Sequence, residues 1–156
     1  MNPSNKIKAE TDILVFKCLD HYDNFSQKKV ICTPYQYTPI AFDKDGMCVL
    51  KSELVKRVVA GTEYNPVYGI AQGIHAFYLR WRGTFNSKMF EDTMMRCHWA
   101  IIPKGSEYYV GDDDSIASNE LIIFKTKFAL NKYMKDKSAN DIRSYDNNYD
   151  ENPLKH

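Results

Sequence analysis

The stretch "DILVFKCL" at residues 12–19 decides the fold that the sequence predicts. It is a mostly apolar run, and such runs are typical of strands that are buried on both faces of a sheet. A second run, "ELIIF" at residues 120–124, has the same character but begins with an acidic residue. The two runs together predict a β-sheet with at least two strands in the core.

Other parts of the chain are also expected to be extended. They are "KKVICTPYQYTPIAF" at 28–42, "GIHAFYLRW" at 73–81, "HWAIIP" at 98–103 and a hairpin or turn in "KGSEYYVGDDDSIAS" at 104–118. Pro34 and Pro39 interrupt the first of these, which confines those positions to an edge strand or a loop.

Two segments are interpreted as a helix followed by a loop. Apolar and polar residues do not alternate clearly in "MCVLKSELVKRVVAG" at residues 47–61. Ser52 could cap a helix there and Gly61 could end it. "TEYNPVYGIAQ" at residues 62–72 contains Gly, Pro and Asn, which mark a loop.

The strongest helix prediction covers residues 86–96. Asn86 or Ser87 can cap it, and its apolar residues fall close to one helical face: Phe85, Met89, Phe90, Met94 and Cys97. With strands outnumbering helices, we expect an α+β fold, a small mixed or antiparallel sheet with one or two packed helices.

Length and composition bound the organisation of the chain. We expect an N-terminal arm at 1–11, a single α+β domain at 12–134 and a polar, flexible tail at 135–156. Lys plus Arg total 21 and Asp plus Glu total 20, so no global charge favours nucleic acid or membrane surfaces. Without an apolar stretch of about 18 residues or a signal peptide, the chain is expected to be cytoplasmic.

The cysteines do not predict a metal site. Cys18, Cys32, Cys48 and Cys97 are widely spaced, whereas structural zinc sites usually take their ligands as close pairs. We expect them to be reduced thiols packed among apolar neighbours.

Two sets of polar residues are candidate binding groups. His75 lies in the strand "GIHAF", on the face of Phe77; it is either satisfied within the sheet or forms a polar cleft together with Glu120. The sequence "LRWR" at 79–82 could contact nucleic acid through Arg80, Trp81 and Arg82, or could be an exposed strand end.

Two stretches carry a resemblance to a known family. "NPVYGIAQGIHAF" at 65–77 and "SNELIIFKTKFALNKYM" at 118–134 resemble the latter half of ADP-ribosyltransferase domains, which include the poly-ADP-ribose polymerases. The resemblance implies a split mixed sheet with a cleft for nicotinamide adenine dinucleotide (NAD). It also implies roles for five residues: Glu120 as the catalytic glutamate, His75 and Gly73 in seating the cofactor, and Tyr64 or Tyr68 in stacking on nicotinamide.

Another stretch, "CHWAIIPKGSEYYVG" at 97–111, resembles small uncharacterised proteins of bacteriophages and Bacteroidetes. The chain differs from the ADP-ribosyltransferases at Lys17 and Ser118, where that family has supporting groups. We therefore expect a binding module of phage or mobile-element type rather than an enzyme. Its ligand would be a protein or a nucleotide-like molecule, and it would need no cofactor. The alternatives are an NAD-dependent ADP-ribosyltransferase and, as the weaker candidate, a nucleic-acid-binding module.

Overall fold

The computed structural model describes residues 3–23, 29–33, 38–78, 95–138 and 141–144. These residues form β1 (Ile7–Lys8), β2 (Asp12–Asp23), β3 (Lys29–Cys32), β4 (Met47–Lys51), β5 (Val55–Gly61), β6 (Pro66–Gln72), β7 (Ile74–Phe77), β8 (Met95–Ile102), β9 (Glu107–Val110), β10 (Ser115–Ser118), β11 (Glu120–Phe124), α1 (Lys127–Met134) and β12 (Ile142–Ser144).

Ten of these strands form one sheet around β2. Neighbouring strands follow the order β1, β9, β10, β7, β2, β8, β11, β4, and both β3 and β12 also pair with β2. Within the described residues, β12 runs parallel to β2 and the other pairs are antiparallel. The prediction that residues 12–19 form a buried strand is confirmed.

The two faces of β2 contribute to two separate hydrophobic cores. Ile13 and Val15 point into the larger core, which also contains Ala100, Ile102 and Leu121. Residues on the opposite face form a smaller core beneath α1: Leu14, Ile101, Phe124, Ala129, Leu130 and Ile142. Because successive side chains of a strand point to opposite faces, a strand with apolar residues at consecutive positions can stabilise both cores.

Asp12, the first residue of β2, bonds to three other parts of the chain. Its carboxylate accepts hydrogen bonds from the backbone amide of Lys104 at 2.8 Å and from the hydroxyl of Tyr133 at 2.8 Å. The same carboxylate lies 3.0 Å from Nζ of Lys137, and its side chain is only 5% exposed. The backbone amide of Asp12 donates to the carbonyl of Asp141 at 3.2 Å.

The predicted α+β class with packed helices is wrong, because the described residues form a mostly antiparallel β fold with one helix. Residues 47–61 form β4 and β5 instead of a helix, and part of the predicted loop at 62–72 forms β6. Gly61, with a φ of +89°, begins the turn of the β5–β6 hairpin instead of ending a helix. Cross-strand pairing with β6 outweighs the weak helical signal of these residues.

Two other predictions, the helix at 86–96 and the polar tail at 135–156, can be compared only with the described residues in those segments. The helix prediction at 86–96, with Phe90 and Met94 on its buried face, lies outside the described residues except for Met95 and Arg96, which belong to β8. Within the segment assigned to a polar tail, β12 pairs with Asp12–Leu14 and buries Ile142.

The described part of the chain contains no helix with the length and apolar character needed to cross a lipid bilayer.

Candidate functional site

A groove lies beside the paired part of β8 and β11. The two strands pair at Ile101 with Ile122 and at Ala100 with Ile123, and the groove is lined by residues next to these pairs, at 96–99 and 124–127. The space is about 460 Å³. It is lined by polar and aromatic side chains that include His21, Arg96, His98, Trp99, Lys125 and Lys127.

Two histidines form a hydrogen-bonded pair at this groove. His98 is buried, and its Nδ1 lies 2.9 Å from the carbonyl oxygen of Phe124. Because a carbonyl can only accept, Nδ1 of His98 carries the proton and its Nε2 is an acceptor. Nε2 of His21 lies 2.7 Å from Nε2 of His98. We infer that His21 donates this second bond.

The surroundings keep the pair neutral. The two rings lie 12° from parallel with their centroids 4.9 Å apart, and the ring of Phe42 lies 5.9 Å from that of His98. Burial, with smaller effects of the neighbouring His98 and Arg96, lowers the pKa of His21 to about 4. Burial also lowers the pKa of His98, against the opposing effect of its bond to Phe124.

We predict that acid destabilises the protein through this pair. An unfolded histidine titrates near pH 6.5, so between pH 6.5 and about 4 the unfolded chain binds more protons than the folded one. The stabilisation that the neutral His21 provides is fully present above pH 6.5 and is lost as the pH falls toward 4. Since His21 is only half-buried, we expect it to contribute about 1–2 kcal/mol to the free energy of unfolding, which is less than its full pKa shift would give.

Urea unfolding across this pH range measures the effect, with His21→Gln as the comparison. The glutamine amide can still donate to His98 but does not titrate. The variant should show a shallower loss of stability than the natural chain, and parallel curves would contradict the prediction.

The described lining of the groove is basic. Arg96, Lys125 and Lys127 line it, and among the described residues its lining includes no Asp or Glu. Helix α1 begins at the same place, and its first turn carries no acidic residue. Since the N-terminal end of a helix carries partial positive charge, it adds to the positive potential of the groove. A cavity of about 560 Å³ at β1 differs, because Glu10 lies there beside Lys8 and Arg143.

This chain matches no family model, no curated protein and no solved structure.

Glu120 and His75 lie on different strands, β11 and β7, and in the sheet order β2 and β8 lie between those strands. Oε1 of Glu120 is 3.8 Å from Nζ of Lys51, its cross-strand partner on β4. His75 is exposed, whereas Ile74 is buried, which confirms the predicted alternation of that strand. The carbonyl of His75 accepts a 2.6 Å hydrogen bond from Nζ of Lys17, whose pKa burial lowers to about 8.

The other predicted binding residues are distributed elsewhere. Tyr64 and Tyr68 lie in the β5–β6 hairpin, and Tyr64 is 95% exposed. Gly73 joins this hairpin to β7, and a Cβ there would lie 2.8 Å from the side chain of Leu54. The proposed nucleic-acid contacts at residues 80–82 lie outside the described residues.

Metal binding has no support in the part of the chain that the structure describes, where no group of three or more His, Cys, Asp or Glu side chains could hold an ion. All four cysteines are thiols.

Sequence reasoning missed the histidine pair. His21 and His98 are far apart in the chain, and the pairing of β2 with β8 brings their strands together, with Lys17 opposite His98 and His21 four residues further along β2. A local signal existed, since His98 opens the apolar run "HWAIIP" and a histidine buried in a strand requires partners for both ring nitrogens.

Proposed function

We propose that the protein is a small binding module whose groove between β8 and residues 124–127 binds a phosphate-bearing, nucleotide-like ligand. The observation that carries the proposal is a pair of exposed lysines, Lys125 and Lys127, that line the groove together with Trp99. An anion that enters the groove is attracted by both ammonium groups.

The types of basic residue suit phosphate. Arginine presents a planar guanidinium that can donate two parallel hydrogen bonds to phosphate oxygens, and lysine contributes a compact charge. Lys125 and Lys127 are both exposed, so their ammonium groups can reach a ligand without a large desolvation cost. The amide end of α1 adds donors of the same kind.

Aromatic residues in the groove support a nucleotide rather than phosphate alone. Trp99 and Phe124 both line it. The ring of Trp99 also packs against Phe16, with ring centroids 5.2 Å apart, so its position is fixed by the core of the sheet. A base stacks well on an aromatic ring whose orientation is already fixed, because little side-chain entropy is lost.

The histidine pair supports binding rather than acid–base catalysis. The pKa of His21, about 4, is too low for efficient proton transfer at neutral pH, and both ring nitrogens of His98 are engaged. A bound anion would instead favour protonation of His21, so ligand binding should take up protons.

The four thiols fit a reducing compartment, and we propose that the module works in the cytoplasm.

Calorimetric titration tests the proposal with three probes: adenosine diphosphate, inorganic pyrophosphate and adenosine. We expect the diphosphate to bind more tightly than pyrophosphate, and adenosine to bind weakest. Lys125→Glu should weaken binding of the diphosphate by about tenfold or more, because it removes a positive charge from the groove and adds repulsion. Added salt should weaken binding further.

The matched control is Lys44→Glu, which makes the same change in net charge at an exposed turn outside the groove. It should leave the affinity within about twofold, since screened charges at a distance contribute little. Absence of binding by both phosphate-bearing probes would overturn the proposal. An equal loss in the two variants would also overturn it, because the effect would then reflect overall charge and not the groove.

A further inference from the structure

The hairpin of β5 and β6 is an exposed, apolar two-stranded ribbon. It forms a sheet of its own, separate from the main sheet. Several of its large side chains are exposed to solvent, and they lie on both strands and in the turn: Val58, Val59, Tyr64, Val67 and Tyr68. An isolated two-stranded hairpin is marginally stable in water, whereas three or more strands are enough for a stable sheet. The ribbon therefore has exposed apolar surface, and within the described residues its two strands pair only with each other.

The two edges differ in charge. β5 carries Lys56 and Arg57, and charged residues of this kind protect a strand edge against pairing with another chain. β6, "PVYGIAQ", carries no charged residue. In the described part of the chain β6 pairs with β5 alone, so backbone groups on its other side face outward. Proline can also protect a strand edge, but Pro66 is only the first residue of β6, and residues 67–72 of its outer edge carry neither a charge nor a proline.

We infer that the outer edge of β6 pairs with β6 of a second copy of this chain. Gly69 is the middle residue of the strand, and antiparallel pairing about a twofold axis at Gly69 matches the strand to itself. Tyr68 of one copy then lies opposite Ile70 of the other, which is a favourable aromatic and β-branched pair. The product is a four-stranded sheet, β5–β6–β6–β5, with the protected β5 strands at its edges.

Charge favours this arrangement over the alternative. Antiparallel self-pairing of β5 about its middle residue, Val58, would place Lys56 opposite Ala60 and Arg57 opposite Val59, so the two adjacent strands would carry four positive charges that repel one another. Lys56 is also engaged within its own chain, where Nζ lies 5.0 Å from the ring centre of Tyr68 and 5.7 Å from that of Tyr109. Self-pairing of β6 brings together no charges at all.

Sedimentation velocity over a range of protein concentrations tests the inference. The natural chain should form a reversible dimer. Tyr68→Lys places a charge on the pairing edge and should weaken the dimer by about tenfold or more. Val58→Lys is the matched control, since Val58 is the partner of Tyr68 within the hairpin, is also exposed, and lies on the strand that stays at the outside. It should change the affinity by less than about threefold.

Hydrogen exchange supplies the second measurement. Amides of β6 should become more protected as the protein concentration rises, while β5 should gain no comparable protection. Thermal unfolding of both variants establishes that each remains folded. A natural chain that stays monomeric up to its solubility limit would overturn the inference. A dimer that Tyr68→Lys leaves intact, or that both variants weaken equally, would also overturn it.

Discussion

Replacing Asp12 by alanine is expected to destabilise the protein by about 3–5 kcal/mol, because it removes the acidic partner of a buried ion pair and leaves several donors unsatisfied. The carboxylate is 5% exposed and lies 3.0 Å from Nζ of Lys137. It also accepts from the hydroxyl of Tyr133 and the amide of Lys104. These contacts join β2 to the C-terminal part of the helix region and to the turn after β8.

The experiment is equilibrium unfolding in urea, with Lys137→Met as the comparison. That substitution removes the ammonium group but leaves the bonds from Tyr133 and Lys104 in place, and Lys137 is more exposed than Asp12. We expect it to cost about 1 kcal/mol. A loss below about 1 kcal/mol for Asp12→Ala would mean that water replaces the carboxylate without penalty, and the proposed role of Asp12 would be wrong.

The central strands could be predicted because their signal is local. Most residues at 12–19, 98–103 and 120–124 are apolar and consecutive, and the structure buries most of their apolar side chains on both faces of the sheet. Such runs can be recognised without knowing the strand register, because apolar residues at consecutive positions leave no face for solvent.

The hairpin could not be predicted in the same way. Most of β5 and β6 is exposed, so burial imposes no alternation on the sequence. The pairing also contains two irregularities, between Val55 and Lys56 and between Val58 and Ala60. A bulge shifts the face of every residue beyond it, which removes the period of two from which strands are recognised. Ser52 and Gly61 then resembled the ends of a helix.

The groove was beyond sequence reasoning for a related reason. Its basic residues come from β8 and from the segment after β11, and nothing in "RCHW" or "FKTK" marks them as neighbours. They lie close together because β8 pairs with β11 at Ile101 and Ala100, next to both segments.

The position of Glu120 has a simpler explanation. It lies opposite Lys51, and a half-exposed pair 3.8 Å apart adds little stability.

Truncation of the chain after Ser138 is expected to cost about 2–5 kcal/mol of stability relative to a chain that ends at Ser144. The longer protein keeps β12, whose Ile142 is 3% exposed and packs in the smaller core with Leu14 and Leu130. The shorter protein loses that side chain and the carbonyl that accepts from the amide of Asp12. Both losses act at the start of β2.

Urea unfolding of the two truncated proteins measures this difference, and two substitutions in the full chain locate its source. Ile142→Ala should reproduce most of the loss, because a cavity forms where the side chain packed. Arg143→Lys, at the exposed neighbouring position, keeps the positive charge and should change stability by less than about 0.5 kcal/mol. Equal stability of the two truncated proteins would show that β12 contributes no net stability. The polar composition of residues 135–156, which predicts a removable tail, would then predict the stability of the truncated proteins better than the burial of Ile142 does.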